Sequence, residues 1–153
     1  MKPRMNIFQT ASEGTKSLLA LEAAIEKSGI EHGLLELVKL RASQINGCGY
    51  CIYMHVKDAL KHGENDMRLH LLNAWRESPS FTARERAALT WTERLTHIAE
   101  AGAPDQDYEE MKRHFNETEI AYLTLAIGAI NIWNRVQVGL RWLHPFEDAK
   151  AAA

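Results

Sequence analysis

Apolar residues recur at helical spacing along almost the whole chain, and this periodicity is what most constrains the fold. Only 4 of the 153 residues are proline, so long segments run without a residue that breaks helices. No segment shows the alternation of apolar and polar residues that is typical of a half-buried strand. The sequence therefore predicts an all-α fold, a single-domain helical bundle over residues 1–153 with its core at about 15–142.

Seven helices are predicted from the apolar spacing and from residues that begin or end helices. Gly29 and Gly63 allow the left-handed backbone that ends a helix, and Thr82 with Glu85 has the form of a capping box. The predicted helices span about 15–27, 32–46, 48–62, 66–75, 82–98, 107–115 and 118–142. The side chains expected to point inward from the first of them are Leu18, Leu19, Ala23 and either Ile25 or Leu21.

The last predicted helix is apolar on two sides. One apolar stripe is formed by Ile120, Leu123, Ile127 and Ile130, and the other by Tyr122, Leu125, Ala129 and Trp133. A helix of this kind is buried, either at the centre of the fold or at a subunit interface. We therefore expect the chain to form a homo-oligomer through apolar helices.

Charge and hydropathy argue against two classes of partner. The formal net charge is −2, so we expect no general attraction to nucleic acid. No apolar run is long enough to span a bilayer, and the first charged residues are not followed by the apolar stretch of a secretory signal. We therefore expect a cytoplasmic protein with no membrane partner.

The chain has only two cysteines, Cys48 and Cys51. A disulfide between residues this close would constrain little of a secreted chain, whereas in a reducing cytoplasm such a pair is typical of redox chemistry or metal binding. Asn46 and Gly47 predict a turn that places Cys48 at the start of a helix and Cys51 in its first turn. The free N–H groups and the dipole there favour an anion such as a thiolate, the reactive form of cysteine.

His55 and Glu36 are the candidate residues for handling protons. His55 follows Cys51 by four positions, so both lie on one helical face, where an imidazole can hydrogen-bond the sulfur or pass it a proton. Glu36 belongs to the preceding helix. An antiparallel hairpin about the predicted turn would bring that helix back alongside His55.

Structural alternatives stay open for these four residues. Together they could coordinate zinc, although a structural zinc site usually shows a second C-x-x-C or a histidine pair. The cysteines could instead be buried as small apolar residues. Glu36 could be salt-bridged to Lys39 or Arg41, and His55 could be an ordinary core or surface histidine.

The arrangement Glu36-x11-Cys48-x2-Cys51-x3-His55 resembles the signature of the alkylhydroperoxidase D family, which belongs to the wider carboxymuconolactone decarboxylase superfamily. Residues 73–77, 85–93 and 131–135 are similar to segments of its small members, and the resemblance extends over about 6–142. The four-residue signature is specific, whereas the downstream segments are weaker and mainly structural.

The resemblance implies a fold of the alkylhydroperoxidase D-like type that assembles as trimers or hexamers. It also implies a thiol-dependent peroxidase, in which Cys51 attacks a hydroperoxide and Cys48 resolves the sulfenic acid as a disulfide. Glu36 and His55 relay protons in this scheme. A dithiol then reduces the disulfide: a lipoylated protein in the best-known members, or a thioredoxin-like donor. No cofactor and no metal are expected.

The sequence departs from the family pattern at one position. The best-known members have a histidine just before the second cysteine, where this chain has Tyr50. Other functions also stay open: a disulfide reductase or redox-sensing partner, or a non-redox lyase of the carboxymuconolactone decarboxylase type. Because the decarboxylase branch typically lacks the cysteine pair, the pair favours redox chemistry.

Overall fold

The computed structural model describes residues 2–145, and within them it contains nine helices and no strand. The all-α prediction is therefore confirmed; residue 1 and residues 146–153 of the predicted domain lie outside the described residues. The helices are α1 (Ile7–Thr10), α2 (Ser12–Glu26), α3 (His32–Ile45), α4 (Gly49–Lys61), α5 (Asp66–Leu71), α6 (Ala83–Thr96), α7 (Ile98–Ala101), α8 (Asp105–His114) and α9 (Glu117–Gly139). A single 3₁₀ turn, Leu72–Ala74, follows α5.

Helix α3 lies at the centre of the fold, in contact with α4, α6 and α9. Its buried residues lie on all of its sides: Leu34, Leu35, Glu36, Leu37, Val38, Lys39, Leu40, Ala42 and Ser43. Polar side chains on a helix covered in this way need partners inside the protein. For Glu36 the partner lies on α4, and for Lys39 the partners lie on α2.

Within residues 2–145 the apolar core has three parts, and α3 contributes to each. One part lies between α2, α3, α6, α8 and α9. A second lies between α3, α4, α5 and α6. The third and smallest consists of Ala42, Cys48, Cys51 and Ile130, with Tyr50 and Trp133 packed against it. The cysteines therefore lie where α3, α4 and α9 meet.

Most predicted helix ends are confirmed to within a few residues. Gly29 and Gly63 have positive φ angles of 87° and 90°, as a glycine that ends a helix does. The capping box of Thr82 and Glu85 begins α6. A second capping box, formed by Asn116 and Glu119, begins α9.

Three helices differ from the prediction. The helix predicted to run to residue 98 ends at Thr96, and Ile98–Ala101 forms the separate α7. Helix α9 ends at Gly139 rather than at 142, because Arg141 has a positive φ angle of 55° and the N–H of Trp142 turns back onto the carbonyl of Gln137. The four-residue α1 is too short to produce a periodic pattern, and the sequence does not predict it.

The predicted inward face of α2 is partly wrong. Ile25 is buried, but Leu19 is 51% exposed and Ala23 is also exposed. Helix α2 packs mainly on α9 and α1, so only a narrow stripe containing Thr15 and Ile25 is covered. Leu19 instead lines a surface cavity.

The two apolar stripes of α9 have different surroundings. Ile120, Leu123, Ile127 and Ile130 are all buried, so the first predicted stripe is confirmed. In the second stripe Ala129 is buried, whereas Leu125 is 46% exposed. No helix within residues 2–145 has the length and apolar character needed to cross a membrane.

Candidate active site

The turn between α3 and α4 positions the cysteines. Gly47 has a φ angle of 65°, which glycine adopts without strain. The side chain of Asn46 donates to Oδ1 of Asn131 at 3.0 Å and to Oδ1 of Asn134 at 2.8 Å, both on α9. The hairpin predicted from Asn46 and Gly47 is therefore present, and α9 holds its turn in place.

Cys48 and Cys51 occupy the start of α4, as predicted. Cys48 is the N-cap residue, and its Sγ accepts a hydrogen bond from the backbone N–H of Cys51 at 3.3 Å. The two residues are joined as a disulfide with a Cα–Cα distance of 5.4 Å. Each is 1% exposed. The cysteines are therefore a bonded pair rather than two separate apolar core residues.

Glu36 and His55 form a buried hydrogen bond. Nδ1 of His55 lies 2.8 Å from Oε2 of Glu36, and the two residues are 4% and 2% exposed. An ionised carboxylate can only accept, so with Glu36 ionised Nδ1 carries the proton and donates it, and Nε2 of a neutral ring is an acceptor. Among the described residues, Nε2 of His55 is buried without a hydrogen-bond partner. The hairpin thus brings together the predicted pair.

The alternative partners considered for Glu36 are wrong. Lys39 binds Glu22 at 3.0 Å and Glu26 at 2.9 Å instead. Arg41 binds Glu93 at 2.8 Å. Because Lys39 faces α2 and Arg41 faces α6, neither charge reaches the Glu36 carboxylate.

Lys39 and Glu26 hold each other in the charged state. Burial opposes the charge of Lys39, but Glu22 and Glu26 outweigh it and hold the pKa of Lys39 above its ordinary value. Burial would raise the pKa of Glu26, but the hydrogen bond and charge of Lys39, with His32, hold that pKa below its ordinary value. Lys39 and Glu26 therefore form a charged pair between α3 and α2.

A cavity of about 390 Å³ opens onto these groups. Cys51, His55 and Glu36 line it, whereas Cys48 does not. Its apolar wall is formed by Phe8, Leu19, Met54, Ile130 and Trp133. The cavity is within the size range of small-molecule sites.

Helix α1 forms one side of this cavity. The ring of Phe8 lies 6.1 Å from that of Trp133 and 5.8 Å from that of Trp142. The Arg4 side chain donates to the carbonyl of Gly139 at 2.7 Å, and its backbone N–H donates to that of Leu140 at 2.9 Å. These contacts hold the N-terminal segment against the end of α9.

Sequence reasoning missed the polar residues at the other end of the cavity. These are Glu22, Glu26, His32, Lys39 and Asp58. The spacing of His32 and Glu36, four positions apart on α3, was a usable signal because such residues share a helical face. Glu22 and Glu26 of α2 have no comparable signal in the sequence, because their place in the cavity depends on how α2 packs.

The zinc ligand set that the sequence left open as an alternative is not assembled. The Cys48 and Cys51 sulfurs are bonded to each other. Within residues 2–145 a single set of three or more histidine, cysteine or carboxylate side chains has donor atoms close enough to hold a metal ion. These are Glu26, His32 and Glu36, whose donor atoms lie within 4.8 Å of one another.

Comparison with known proteins identifies a family and a relative of this chain. The model of the carboxymuconolactone decarboxylase family matches residues 13–94, which is more than half of the 153 residues. The uncharacterized protein YdfG of Bacillus subtilis is 37% identical over 140 residues, covering 92% of this chain and 95% of YdfG.

Solved structures agree with this placement. A protein of unknown function from Agrobacterium tumefaciens, provisionally described as the antioxidant defence protein AhpD, has a TM-score of 0.92 at 47% identity and covers 95% of this chain and 100% of its own. An uncharacterized peroxidase-related protein from Ralstonia eutropha with an alkylhydroperoxidase AhpD core has a TM-score of 0.80 at 15% identity, over 92% of this chain and 75% of its own. The second likeness is one of fold alone.

The family match covers the hairpin that carries Glu36, Cys48, Cys51 and His55. The helices around that hairpin have the arrangement seen in the Agrobacterium and Ralstonia proteins. The chain therefore belongs to the carboxymuconolactone decarboxylase family and has the fold of its alkylhydroperoxidase D-like members.

Proposed function

We propose that the protein is a thiol-dependent peroxidase that reduces hydroperoxides through a Cys48–Cys51 dithiol/disulfide cycle. The observation that carries this proposal is the buried Glu36–His55 hydrogen bond, which lies in the same cavity as Cys51. Glu36 fixes the proton on Nδ1 of His55, so Nε2 is available to exchange a proton. A reduced thiol would also give that buried Nε2 the partner that it lacks beside the disulfide.

Cys51 is the attacking residue in this cycle, and its position on the cavity wall supports that role. The Cys51 thiol first gives its proton to Nε2 of His55. The thiolate then attacks the outer oxygen of the hydroperoxide, so that an S–O bond forms and the O–O bond breaks. The departing alkoxide takes that proton from His55 and leaves as an alcohol. Cys51 becomes a sulfenic acid.

Cys48 is the resolving residue. Its sulfur attacks the Cys51 sulfur, an S–S bond forms and the S–O bond breaks, and the proton of the Cys48 thiol joins the departing hydroxide to give water. A dithiol donor, either a lipoylated protein or a thioredoxin-like protein, then reduces the disulfide with two electrons and two protons. The sum is one hydroperoxide and one dithiol converted to one alcohol, one water and one disulfide.

The cavity favours an organic hydroperoxide over hydrogen peroxide. Phe8, Met54 and Trp133 offer an apolar wall that an organic group can cover. Tyr50, at the position of the family histidine, packs against the cysteine part of the core and also lines the cavity. Since a phenol is a poor base near neutral pH, we assign proton transfer to Glu36 and His55 alone.

The assembly and the compartment complete the proposal. We propose a homo-oligomer, a trimer or hexamer, whose interface includes the exposed face of α9. We also place the protein in the cytoplasm, where a closely spaced cysteine pair is kept available for redox chemistry.

Thiol counting after a single peroxide pulse tests the cycle. The reduced protein has two thiols per chain, and one equivalent of cumene hydroperoxide should remove both. Dithiothreitol should restore them. If both thiols stay open to alkylation after the pulse, the peroxidase proposal is wrong.

Dimedone trapping assigns the two sulfurs. Cys48→Ser should carry one dimedone adduct, on Cys51, and fail to turn over. Cys51→Ser should consume no peroxide. Labelling confined to Cys48 in the Cys51→Ser variant would reverse the assignment, and a ring-acid decarboxylation retained in the double Cys→Ser variant would favour the lyase.

A further inference from the structure

We propose that Glu26, His32 and Glu36 form a binding site for one divalent transition-metal ion, with Zn²⁺ as the probe. One imidazole nitrogen and two carboxylate oxygens of these residues lie within 4.8 Å of one another. Imidazole and carboxylate are ordinary ligands of zinc, at metal–ligand distances of about 2.0–2.2 Å. The proposal departs from the sequence-based expectation of no metal.

The fold brings these ligands together from two helices. His32 is the first residue of α3, and Glu36 follows one turn later on the same face. Glu26 is the last residue of α2, and Gly29 turns the chain between the two helices. Nδ1 of His32 already lies 3.4 Å from Oε2 of Glu26.

The ligands need only a small movement to surround an ion. Four ligands around zinc lie roughly 3.4 Å apart, so the donor atoms must approach by roughly 1 Å. The side chains of His32 and Glu26 are 35% and 41% exposed, which leaves them room to rotate. Glu36 is held by His55 and provides the fixed member of the set.

An orphaned nitrogen of His32 points to a ligand at this site. Within the part of the chain that the structure describes, Nε2 of His32 is buried without a hydrogen-bond partner, and His32 lines the cavity. Nε2 of His55 is also unpartnered there, but the reduced thiol is its partner in the proposed peroxidase cycle. Buried polar atoms in native proteins are almost always satisfied, so Nε2 of His32 calls for a partner beyond the protein atoms.

The charge of the cavity also favours a cation. Among the lining residues that the structure describes, four are carboxylates and one is a lysine. Lys39 is already engaged by Glu22 and by Oε1 of Glu26, whereas His32 approaches Oε2 of Glu26. A divalent ion at Oε2 of Glu26 would offset the excess negative charge, and Lys39 could stay in place.

Three protein ligands leave an open coordination position, as in catalytic zinc sites. An ion bound to Glu36 would also draw negative charge from the carboxylate that accepts from His55, and so weaken that hydrogen bond. Zn²⁺ should therefore slow peroxide consumption. This consequence rests on the proposed peroxidase function, whereas the binding site itself does not.

Calorimetric titration of the disulfide form with Zn²⁺ tests the site. The disulfide form is used because its sulfurs cannot provide thiolate ligands. We expect one Zn²⁺ per chain at micromolar concentration, and an affinity at least about tenfold weaker in His32→Gln and in Glu26→Gln. Zn²⁺ should raise the Tm of the wild type and should not raise that of His32→Gln.

His70→Gln is the matched control. His70 and Asp66 also form a histidine–carboxylate pair four positions apart, at 3.5 Å, but on the exposed surface of α5. This variant should bind Zn²⁺ as the wild type does. The proposal is overturned if the wild type binds no Zn²⁺, or if His32→Gln and Glu26→Gln, folded by their Tm, bind it with wild-type affinity. Because no turnover is measured, failure of the peroxidase proposal would leave this result unaffected.

Discussion

At the scale of single residues, Glu36 decides which nitrogen of His55 carries the proton. We predict that Glu36→Gln and His55→Gln each slow peroxide consumption by about 10²-fold, the ordinary size of a general acid–base contribution. Glutamine at position 36 keeps the shape of the side chain but loses the charge that stabilises the imidazolium. The measurement is the initial rate with cumene hydroperoxide and a dithiol donor.

Glu13→Gln is the control for that measurement. Glu13 pairs with Lys16 on the surface, where its side chain is 85% exposed, and the rate should not change. A wild-type rate for Glu36→Gln across the pH range would show that His55 does not need the carboxylate.

The residues of the hairpin were predictable, and those of α2 were not. The sequence spacing of Glu36, Cys51 and His55 predicts that they lie close together. A turn brings the helix of Glu36 back alongside α4, and one helical turn separates Cys51 from His55. Glu26 reaches the cavity only through the way α2 packs on α9. Local sequence patterns do not predict such a contact between helices. For the same reason the sequence left Lys39 open as a partner of Glu36.

At the scale of helices, Glu93 joins three parts of the fold. Its carboxylate on α6 accepts from Arg41 of α3 at 2.8 Å, from Nε1 of Trp75 at 2.9 Å and from Arg76 at 2.7 Å. Burial would raise the pKa of Glu93, but Trp75 and Arg41 hold it below its ordinary value of 4.5. A carboxylate with a lowered folded-state pKa stabilises the fold above its unfolded-state pKa and loses that contribution as the pH falls through the folded-state pKa.

We therefore predict acid destabilisation that depends on Glu93. Glu93→Gln should lower the free energy of unfolding at pH 7 by roughly 1–3 kcal/mol, because buried donors lose a charged acceptor. Between pH 7 and about pH 3 the variant should lose less stability than the wild type. Urea unfolding at both pH values measures the difference, with Glu109→Gln, an exposed partner of Lys112, as the control. Equal pH dependence in variant and wild type would contradict the assignment.

Helix positions were easier to predict than helix faces. The α3–α4 hairpin follows from Asn46 and Gly47, whose turn chemistry is local. The exposure of Leu19 cannot be predicted from the local sequence, since it depends on which side of α2 another helix covers. Helix α9 shows both cases: its buried stripe was predicted, and the exposure of Leu125 was not.

At the scale of the whole molecule, α9 presents an apolar face to solvent. Leu125 and Ile132, seven positions apart and so on one side of the helix, are 46% and 43% exposed. Apart from its chain neighbours and its own helix backbone, a Cβ at Gly128 would meet no atom of the described residues within 4 Å, so the space beside it is open. Apolar faces of this kind mark interfaces, and a glycine there lets a second helix approach closely.

We predict that sedimentation equilibrium gives a multiple of 17.3 kDa at micromolar concentration. Ile132→Glu should dissociate the assembly, because a carboxylate would be buried there without a partner. Met67→Glu, at a 62% exposed apolar residue of α5, is the control and should leave the mass unchanged. A 17.3 kDa monomer for the wild type would exclude the oligomer.

Helix α1 closes one side of the cavity with only four residues. A helix this short is not stable alone, so its place depends on the stacking of Phe8 and the hydrogen bonds of Arg4. Detaching it exposes far less surface than opening the core does, and its opening free energy is correspondingly small. On the proposed peroxidase function, the range of hydroperoxides that fit depends on this opening free energy, because a bulky organic group can replace Phe8 against the tryptophan rings. We therefore expect changes in α1 to alter the range of substrates and to leave the proposed thiol chemistry at α4 unchanged.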